Sequence, residues 1–222
     1  MSPPVRRFRP LAFAALAALW PVLCPLPIAA LAPLLPPQDS ARVRPFHFIF
    51  SRFASRTSNT LYAGYGIGRA MVVAGMVMNP RTGYREHVVG GGVQVLPGRR
   101  NSANLVLAAA DARESTYLQL YLVPALGLGP ASISGTIEGY QPLERAGTRQ
   151  LGFNPVTITV PAWRRFAAGA TTVIFLGEGE SAQYGLGPAL TAGFSKGSVG
   201  LDLVQGVSRF RSEARLSFFV RF

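Results

Sequence analysis

The sequence predicts an all-β fold, an antiparallel transmembrane β-barrel of about twelve strands. Three observations support this prediction. Apolar and polar residues alternate with a period of two from residue 45 onward, in runs separated by short turns. Charged residues make up only 14% of the chain, whereas roughly a quarter is typical of soluble domains. The last ten residues form an amphipathic segment that is rich in phenylalanine.

The amino-terminal segment is predicted to lie outside the barrel. It begins with a basic stretch that contains Arg6, Arg7 and Arg9. An apolar run rich in alanine and leucine follows over residues 11–35, and a small-x-small cleavage motif ends at Ala32. This order is typical of a secretory signal peptide. We therefore expect residues 1–32 to be a signal peptide and residues 33–44 a linker, with an uncleaved membrane anchor as the alternative.

Residues 45–222 are predicted to form the barrel domain. The first strand is expected over residues 46–53, and residues 61–78 read either as two strands that turn at Gly68-Arg69 or as one long strand. The later predicted strands are residues 86–96, 105–107, 118–122, 133–138, 156–160, 167–176, 184–194, 199–207 and 213–222. Twelve strands are therefore expected. Ten is the alternative, on the two conditions that residues 46–53 are not a strand and that residues 61–78 form one long strand. Either even number suits a single-chain bacterial barrel.

The final segment has one apolar and one mostly polar face. The apolar face consists of Ala214, Leu216, Phe218, Val220 and Phe222. This pattern resembles the C-terminal assembly signal of bacterial outer-membrane proteins, which end on Phe or Trp with alternate apolar residues before it. The resemblance implies an outer-membrane location and recognition of Phe218, Val220 and Phe222 by the barrel assembly machinery. It also implies contact with outer-membrane lipid and lipopolysaccharide.

Polar residues on the other strand faces are the candidate functional residues. Those predicted to face the interior, or lumen, are Glu86, Gln94, Tyr117, Gln119, Tyr121, Glu138, Asp202, Arg215 and Arg221. They either pair with one another and plug the barrel or line a narrow pore, because ten to twelve strands lie between filled and open barrels. The formal charge of +12 favours small anionic solutes or an anionic lipopolysaccharide surface as partners.

Enzymatic function has little support in the sequence. His47 and His87 are the candidate bases at neutral pH, and alternation places His87 on the apolar face of its strand. No G-x-S-x-G motif occurs, and the serines near His47 show no specific spacing. The sequence predicts a structural or narrow-channel barrel that prefers anions if it conducts. The alternatives are a lipid-modifying hydrolase of the outer membrane and a soluble exported β-barrel that binds an apolar ligand.

Cofactor and metal sites are not expected. The single cysteine, Cys24, lies in the predicted signal peptide, so the mature chain has no disulfide and no thiolate ligand. No zinc, P-loop or RNA-binding motif is present. The sequence therefore predicts no cofactor, no metal and no nucleic-acid partner.

Two glycine groups and several aromatic residues also carry expectations. Gly64 and Gly66 are predicted as small residues on the interior side, and residues 90–92 are predicted as a bend or bulge. Aromatic residues near predicted strand ends resemble the interfacial girdles of membrane barrels. These residues are Trp163, Phe166, Tyr184 and Phe194. Arg99, Arg100, Arg164 and Arg165 are expected in turns on the periplasmic side.

Overall fold

The computed structural model describes residues 45–98, 101–113 and 115–222. The predicted signal peptide and linker lie outside these residues. Twelve antiparallel strands form a closed barrel in which each strand pairs with its neighbours in the chain and β1 closes the barrel on β12. The predicted fold class and the strand count of twelve are confirmed. None of the described residues belongs to a helix of the length and hydrophobicity that crossing a bilayer requires.

The strands are 9 to 14 residues long. Their bounds are β1 (Pro45–Ala54), β2 (Asn59–Ile67), β3 (Ala70–Asn79), β4 (Tyr84–Leu96), β5 (Asn101–Ala112), β6 (Thr116–Leu128), β7 (Ala131–Pro142), β8 (Gln150–Trp163), β9 (Phe166–Gly177), β10 (Gln183–Phe194), β11 (Gly197–Gly206) and β12 (Glu213–Arg221). These lengths fit a tilted strand that crosses a bilayer, for which about 9 to 11 residues are needed.

The ten-strand alternative is wrong. Its first condition fails because residues 45–54 form β1, and its second fails because residues 61–78 fold as parts of β2 and β3. The two strands meet in a tight turn at Gly68, whose φ of 60° lies in the left-handed region that favours glycine. The sequence signal for a turn at this position was therefore correct.

The barrel has two ends with different connections. At the end where β1 begins and β12 finishes, here called the terminal end, the connections are residues 68–69, 97–100, 129–130, 164–165 and 195–196. At the opposite end, here called the loop end, they are residues 55–58, 80–83, 113–115, 143–149, 178–182 and 207–212. The predicted turn arginines Arg164 and Arg165 therefore belong to the terminal end, together with the start of β1, whereas Arg99 and Arg100 lie outside the described residues.

The outer face of the barrel is apolar and exposed. Leu107, Leu186 and Leu203 point outward and are 52%, 55% and 50% exposed. A contiguous apolar surface of this kind is a liability in water and is the expected lipid-facing band of a membrane barrel. Trp163 and Phe166 stack at the terminal end of this surface with ring centroids 5.9 Å apart.

Strand β1 departs from the expected alternation because it is apolar on the inner face as well. Phe46 and Phe48 point inward and cover Gly66 and Gly64 of the neighbouring β2. A Cβ atom at Gly64 would lie 2.2 Å from Phe48 Cε1, and one at Gly66 would lie 2.3 Å from Phe46 Cζ. The two glycines are thus small residues on the inner side, where they make room for the two rings.

The expected bend at residues 90–92 is not observed. Pairing with β5 continues through all three glycines, and the register shifts only between Gln94 and Leu96. Close packing accounts for the glycines, because a Cβ at Gly90 would lie 2.6 Å from the Cβ of Ala108. A second irregularity lies on β8, where the register with both neighbouring strands shifts between residues 153 and 156.

Candidate functional site: the barrel interior

The interior contains a cavity of about 980 Å³. Its lining includes Gly68 in a turn at the terminal end and Thr82 in a connection at the loop end. The cavity therefore extends along the barrel from one end toward the other. It is lined mainly by β1–β7 and β12, with two residues from β8 and one from β9.

All nine residues predicted to face the interior lie on the inner face. Those that line the cavity are Glu86, Gln94, Tyr117, Tyr121, Glu138, Arg215 and Arg221. Gln119 is fully buried beneath the surface of the cavity and bonds to Glu86. Asp202 is 7% exposed and faces Arg215 across the β11–β12 pair. The structure thus brings these residues together along one interior space.

The first polar network, here called the arginine cluster, consists of Arg52, Glu138, Asn154, Glu213 and Arg215. Arg215 Nε donates to Glu213 Oε1 at 2.5 Å, and Arg215 Nη1 donates to Asn154 Oδ1 at 2.7 Å. Asn154 Nδ2 donates to Glu138 Oε1 at 3.0 Å. Arg52 Nη1 reaches the same Asn154 oxygen at 3.4 Å.

The arginine cluster crosses the barrel. Arg52 and Arg215 lie on β1 and β12, whereas Glu138 and Asn154 lie on β7 and β8, at least four strands away round the closed order. Asn154 lies within the irregular part of β8, where the register with both neighbours shifts. Side chains that meet across the interior narrow the passage at this level, which is closer to the loop end of β1, β7, β8 and β12.

A second network, here called the tyrosine cluster, consists of Tyr62, Tyr84, Glu86, Gln119 and Tyr121. Glu86 accepts from Tyr84 Oη and from Gln119 Nε2, each at 2.5 Å. Tyr121 Oη donates in turn to Gln119 Oε1. The hydroxyls of Tyr62 on β2 and Tyr121 on β6 are 3.4 Å apart and meet across the interior. Because its acceptors are hydrogen-bonded, this buried network is largely satisfied within the protein.

Charge is distributed unevenly between the ends and the middle of the barrel. Among the described residues, the terminal-end connections contain Arg69, Arg164, Arg165 and Lys196 and no acidic residue. The described loop-end connections contain Arg56, Arg81, Arg113, Arg145, Arg149, Arg209 and Arg211, against Glu144, Glu178 and Glu180. Between them, the inner face carries Arg52, Arg215 and Arg221 together with Glu86, Glu138, Asp202 and Glu213. Both mouths are therefore basic, and the middle is of mixed charge.

The two histidines lie on the opposite face of the sheet from these networks. His47 lies on the outward face of β1, where its ring is 5.0 Å from that of Tyr65. His87 lies on the outward face of β4 and is paired in register with Asp111 of β5. The two lie at opposite ends of the barrel, so they do not form a common site. Within the described ranges, no group of three or more His, Cys, Asp or Glu could hold a metal ion.

Sequence reasoning missed five members of the two clusters. They contact the predicted interior residues or one another but were not among the candidates, and they are Arg52, Tyr62, Tyr84, Asn154 and Glu213. Alternation places Arg52 on the same face as Phe46 and Phe48, so strand parity was a usable signal for it. Asn154 had no such signal, because the irregularity of β8 breaks the parity between residues 153 and 156.

Comparison with known proteins supports the fold. No protein-family model matches the sequence, and no curated protein matches it. Two solved structures, of the KdgM porin and of the KdgM porin in complex with disordered oligogalacturonate, match with TM-scores of 0.51 and 0.52. Each is 9% identical, and each match covers 80% of this chain and 98% of that one. The Acinetobacter baumannii outer membrane protein Omp33 matches with a TM-score of 0.48 and 10% identity, covering 83% and 99%.

Proposed function

The chain has the fold of an outer-membrane porin, and we propose that it forms a narrow channel in the outer membrane of a bacterium. The cavity that extends between the two ends of the closed barrel carries this proposal. Side chains from the arginine and tyrosine clusters reduce the passage, so we expect small conductance and exclusion of large solutes. The exposed apolar outer face supports contact with lipid and lipopolysaccharide.

The route to the membrane is part of the same proposal. Residues 1–32 act as the export signal, and Phe218, Val220 and Phe222 act as the assembly signal. Phe218 and Val220 point outward on β12, and the backbone of Phe222 bonds to His47 where the barrel closes. A side chain at this seam is accessible to assembly factors before β1 and β12 pair.

We further propose that the channel prefers anions. Basic residues at both mouths raise the local concentration of anions. Within the interior, the carboxylates of Glu86, Glu138 and Glu213 already accept hydrogen bonds from protein groups. The KdgM porin, which shares this fold, has been solved with an oligogalacturonate, a carboxylate-bearing sugar chain.

We propose no enzymatic activity for the chain. His47 and His87 face outward at opposite ends, so neither shares a site with the interior polar residues. General-base catalysis needs a base within hydrogen-bonding reach of the reacting group. Replacing either histidine with alanine should leave any lipid hydrolysis by the purified protein unchanged.

The test of the channel is the reversal potential in a planar bilayer under a KCl gradient. We expect the wild-type barrel to show a small current with anion preference. Replacement of Arg215 and Arg221 with Gln should shift the reversal potential toward cations, because both guanidiniums line the cavity. The matched control replaces Arg56 and Arg81 with Gln. This change removes two charges from the loop end and should shift the reversal potential less. A barrel that conducts cations before and after the change would refute the anion preference.

A further inference from the structure

One wall of the interior is apolar toward the terminal end of the barrel. It is built by inward-facing residues of β12, β1, β3, β5 and β6, and we call it the apolar wall. Its members are Phe46, Phe48, Met71, Val73, Val106, Val123 and Phe219, and all of them line the cavity. Met71 and Val106 belong to a buried cluster against which Phe48, Val73 and Val123 pack.

The apolar wall is unusual for a barrel of this class. Membrane barrels with water-filled channels have polar interiors, because apolar surface gains free energy when it leaves water. The wall offers a contiguous surface on which an apolar molecule could be buried. The cavity volume of about 980 Å³ is at the upper end of the range of small-molecule sites, about 300–1,000 Å³.

An incompletely bonded arginine lies beyond this wall. Arg52 follows Phe50 on the inner face of β1, and its guanidinium carbon lies 5.3 Å from the centre of the Phe50 ring. Arg52 lines the cavity and is 8% exposed. Within the described part of the chain, its Nε is a buried donor that has no hydrogen-bond partner. A buried donor without an acceptor is unfavourable.

Two of the acceptors near Arg52 are already in use. Asn154 Oδ1, which Arg52 Nη1 reaches at 3.4 Å, accepts a shorter bond from Arg215 at 2.7 Å. Glu213 accepts from Arg215 and from the backbone and hydroxyl of Thr57. Glu138 and Asp202 attract the Arg52 guanidinium, and Arg215 repels it. Arg52 therefore keeps one guanidinium donor that no protein group among the described residues accepts from.

We propose that the interior binds an apolar carboxylate, with its apolar body on the apolar wall and its carboxylate on the guanidinium of Arg52. A guanidinium and a carboxylate match as a fork of two parallel hydrogen bonds. The proposal deepens the channel function, on which it rests for the route by which the ligand enters. A polyhydroxylated carboxylate lacks the apolar body, and an apolar amide lacks the charge, so both should bind more weakly.

The ligand comparison uses the folded protein in nanodiscs and isothermal titration calorimetry, with empty nanodiscs subtracted. The probe is 3-phenylpropionate, and the comparators are 3-phenylpropionamide and gluconate. We expect the probe to bind. The amide should bind at least about tenfold more weakly because it loses one charge-assisted interaction. Gluconate should also bind at least about tenfold more weakly because it has no apolar body to bury. Equal binding of the amide would overturn the role of the carboxylate. Equal binding of gluconate would overturn the role of the apolar wall.

Two variants assign the two halves of the site. Arg52→Gln should weaken binding of 3-phenylpropionate about tenfold and abolish its advantage over the amide. Arg56→Gln is the control, because Arg56 is an exposed arginine in the β1–β2 connection, and it should change neither the affinity nor this advantage. The double variant Val73→Thr and Val106→Thr keeps side-chain shape but replaces apolar groups of the wall with hydroxyls. It should therefore weaken binding of the probe and leave the advantage of the probe over the amide intact. Unchanged binding in folded Arg52→Gln protein overturns the proposal.

The outcomes for the channel and for the ligand site can be separated. KCl conductance is recorded on the same preparations in planar bilayers. Conductance without binding of the probe would overturn the ligand site and leave the channel intact. Binding without conductance would overturn the channel and leave the site intact. If Arg52→Gln does not fold, the three ligands on the wild-type protein decide the proposal.

Discussion

We expect the largest loss of stability when the buried ion pair between Arg215 and Glu213 is broken. Glu213 Oε1 accepts from Arg215 Nε at 2.5 Å, and the two side chains are 2% and 0% exposed. Glu213 also accepts from Thr57 N at 2.9 Å and from Thr57 Oγ1 at 3.1 Å, which ties the β1–β2 connection to β12. Glu213→Gln retains the shape but removes the charge and one of the acceptor oxygens.

The magnitude follows from the partners that remain. Breaking a buried ion pair by removing one partner costs about 3–5 kcal/mol. Arg215 keeps its 2.7 Å bond to Asn154 and borders a cavity that admits water, so we expect the lower value, about 3 kcal/mol. Removing one interior negative charge should also shift the reversal potential further toward anions.

The assay is equilibrium unfolding of the lipid-reconstituted barrel in guanidinium chloride, followed by the fluorescence of Trp163. Glu178→Gln is the matched control because Glu178 is exposed in the β9–β10 connection. It should change the free energy of unfolding by less than about 0.5 kcal/mol. If Glu213→Gln is as stable as the control, the ion pair does not hold β12 and the β1–β2 connection together, and the reasoning fails.

Two further predictions concern the tyrosine cluster and the closing seam. Tyr121→Phe leaves the buried Gln119 oxygen without its donor and should lower the free energy of unfolding by about 1–3 kcal/mol. Tyr62→Phe loses only a 3.4 Å contact between hydroxyls, so it should lower the free energy of unfolding by less. Denaturant midpoints measure both variants, and the reverse order of stability would contradict the network. Phe222→Ala keeps the backbone hydrogen bonds to His47 but should slow assembly of the barrel in cells. Heat-modifiable migration on gels measures assembly, and an unchanged result would argue against an assembly signal at Phe222.

The strand order was predictable because a barrel imposes period-two alternation on every segment. Residues 118–122 alternate leucine with Tyr or Gln, and the structure places the leucines outward and the polar residues inward on β6. Gly68 marked the β2–β3 turn because few other residues adopt its positive φ. Local chemistry of this kind can be read from a single segment.

Other features depend on pairs of strands and could not be read from one. Phe46 and Phe48 face inward because Gly66 and Gly64 lie beside them on β2, and no pattern within β1 reveals those neighbours. The glycines at 90–92 suggested a bulge, but their role is close packing against β5, which only the register shows.

The cross-barrel contacts were beyond sequence reasoning for a geometric reason. Asn154 meets Arg52 and Arg215 from strands at least four positions away round the barrel. Such contacts depend on barrel diameter and on the irregularity of β8, neither of which alternation determines. The residues predicted for the interior were therefore identified individually, without their partners.

The single-channel current of the wild-type barrel in a planar bilayer decides whether the interior conducts ions. We expect a small, stepwise KCl current, with a reversal potential in a salt gradient on the anion side. The cavity supplies the path, and the arginine and tyrosine clusters limit its size. A correctly assembled barrel that carries no current would show that these clusters close the interior, and the channel function would be wrong.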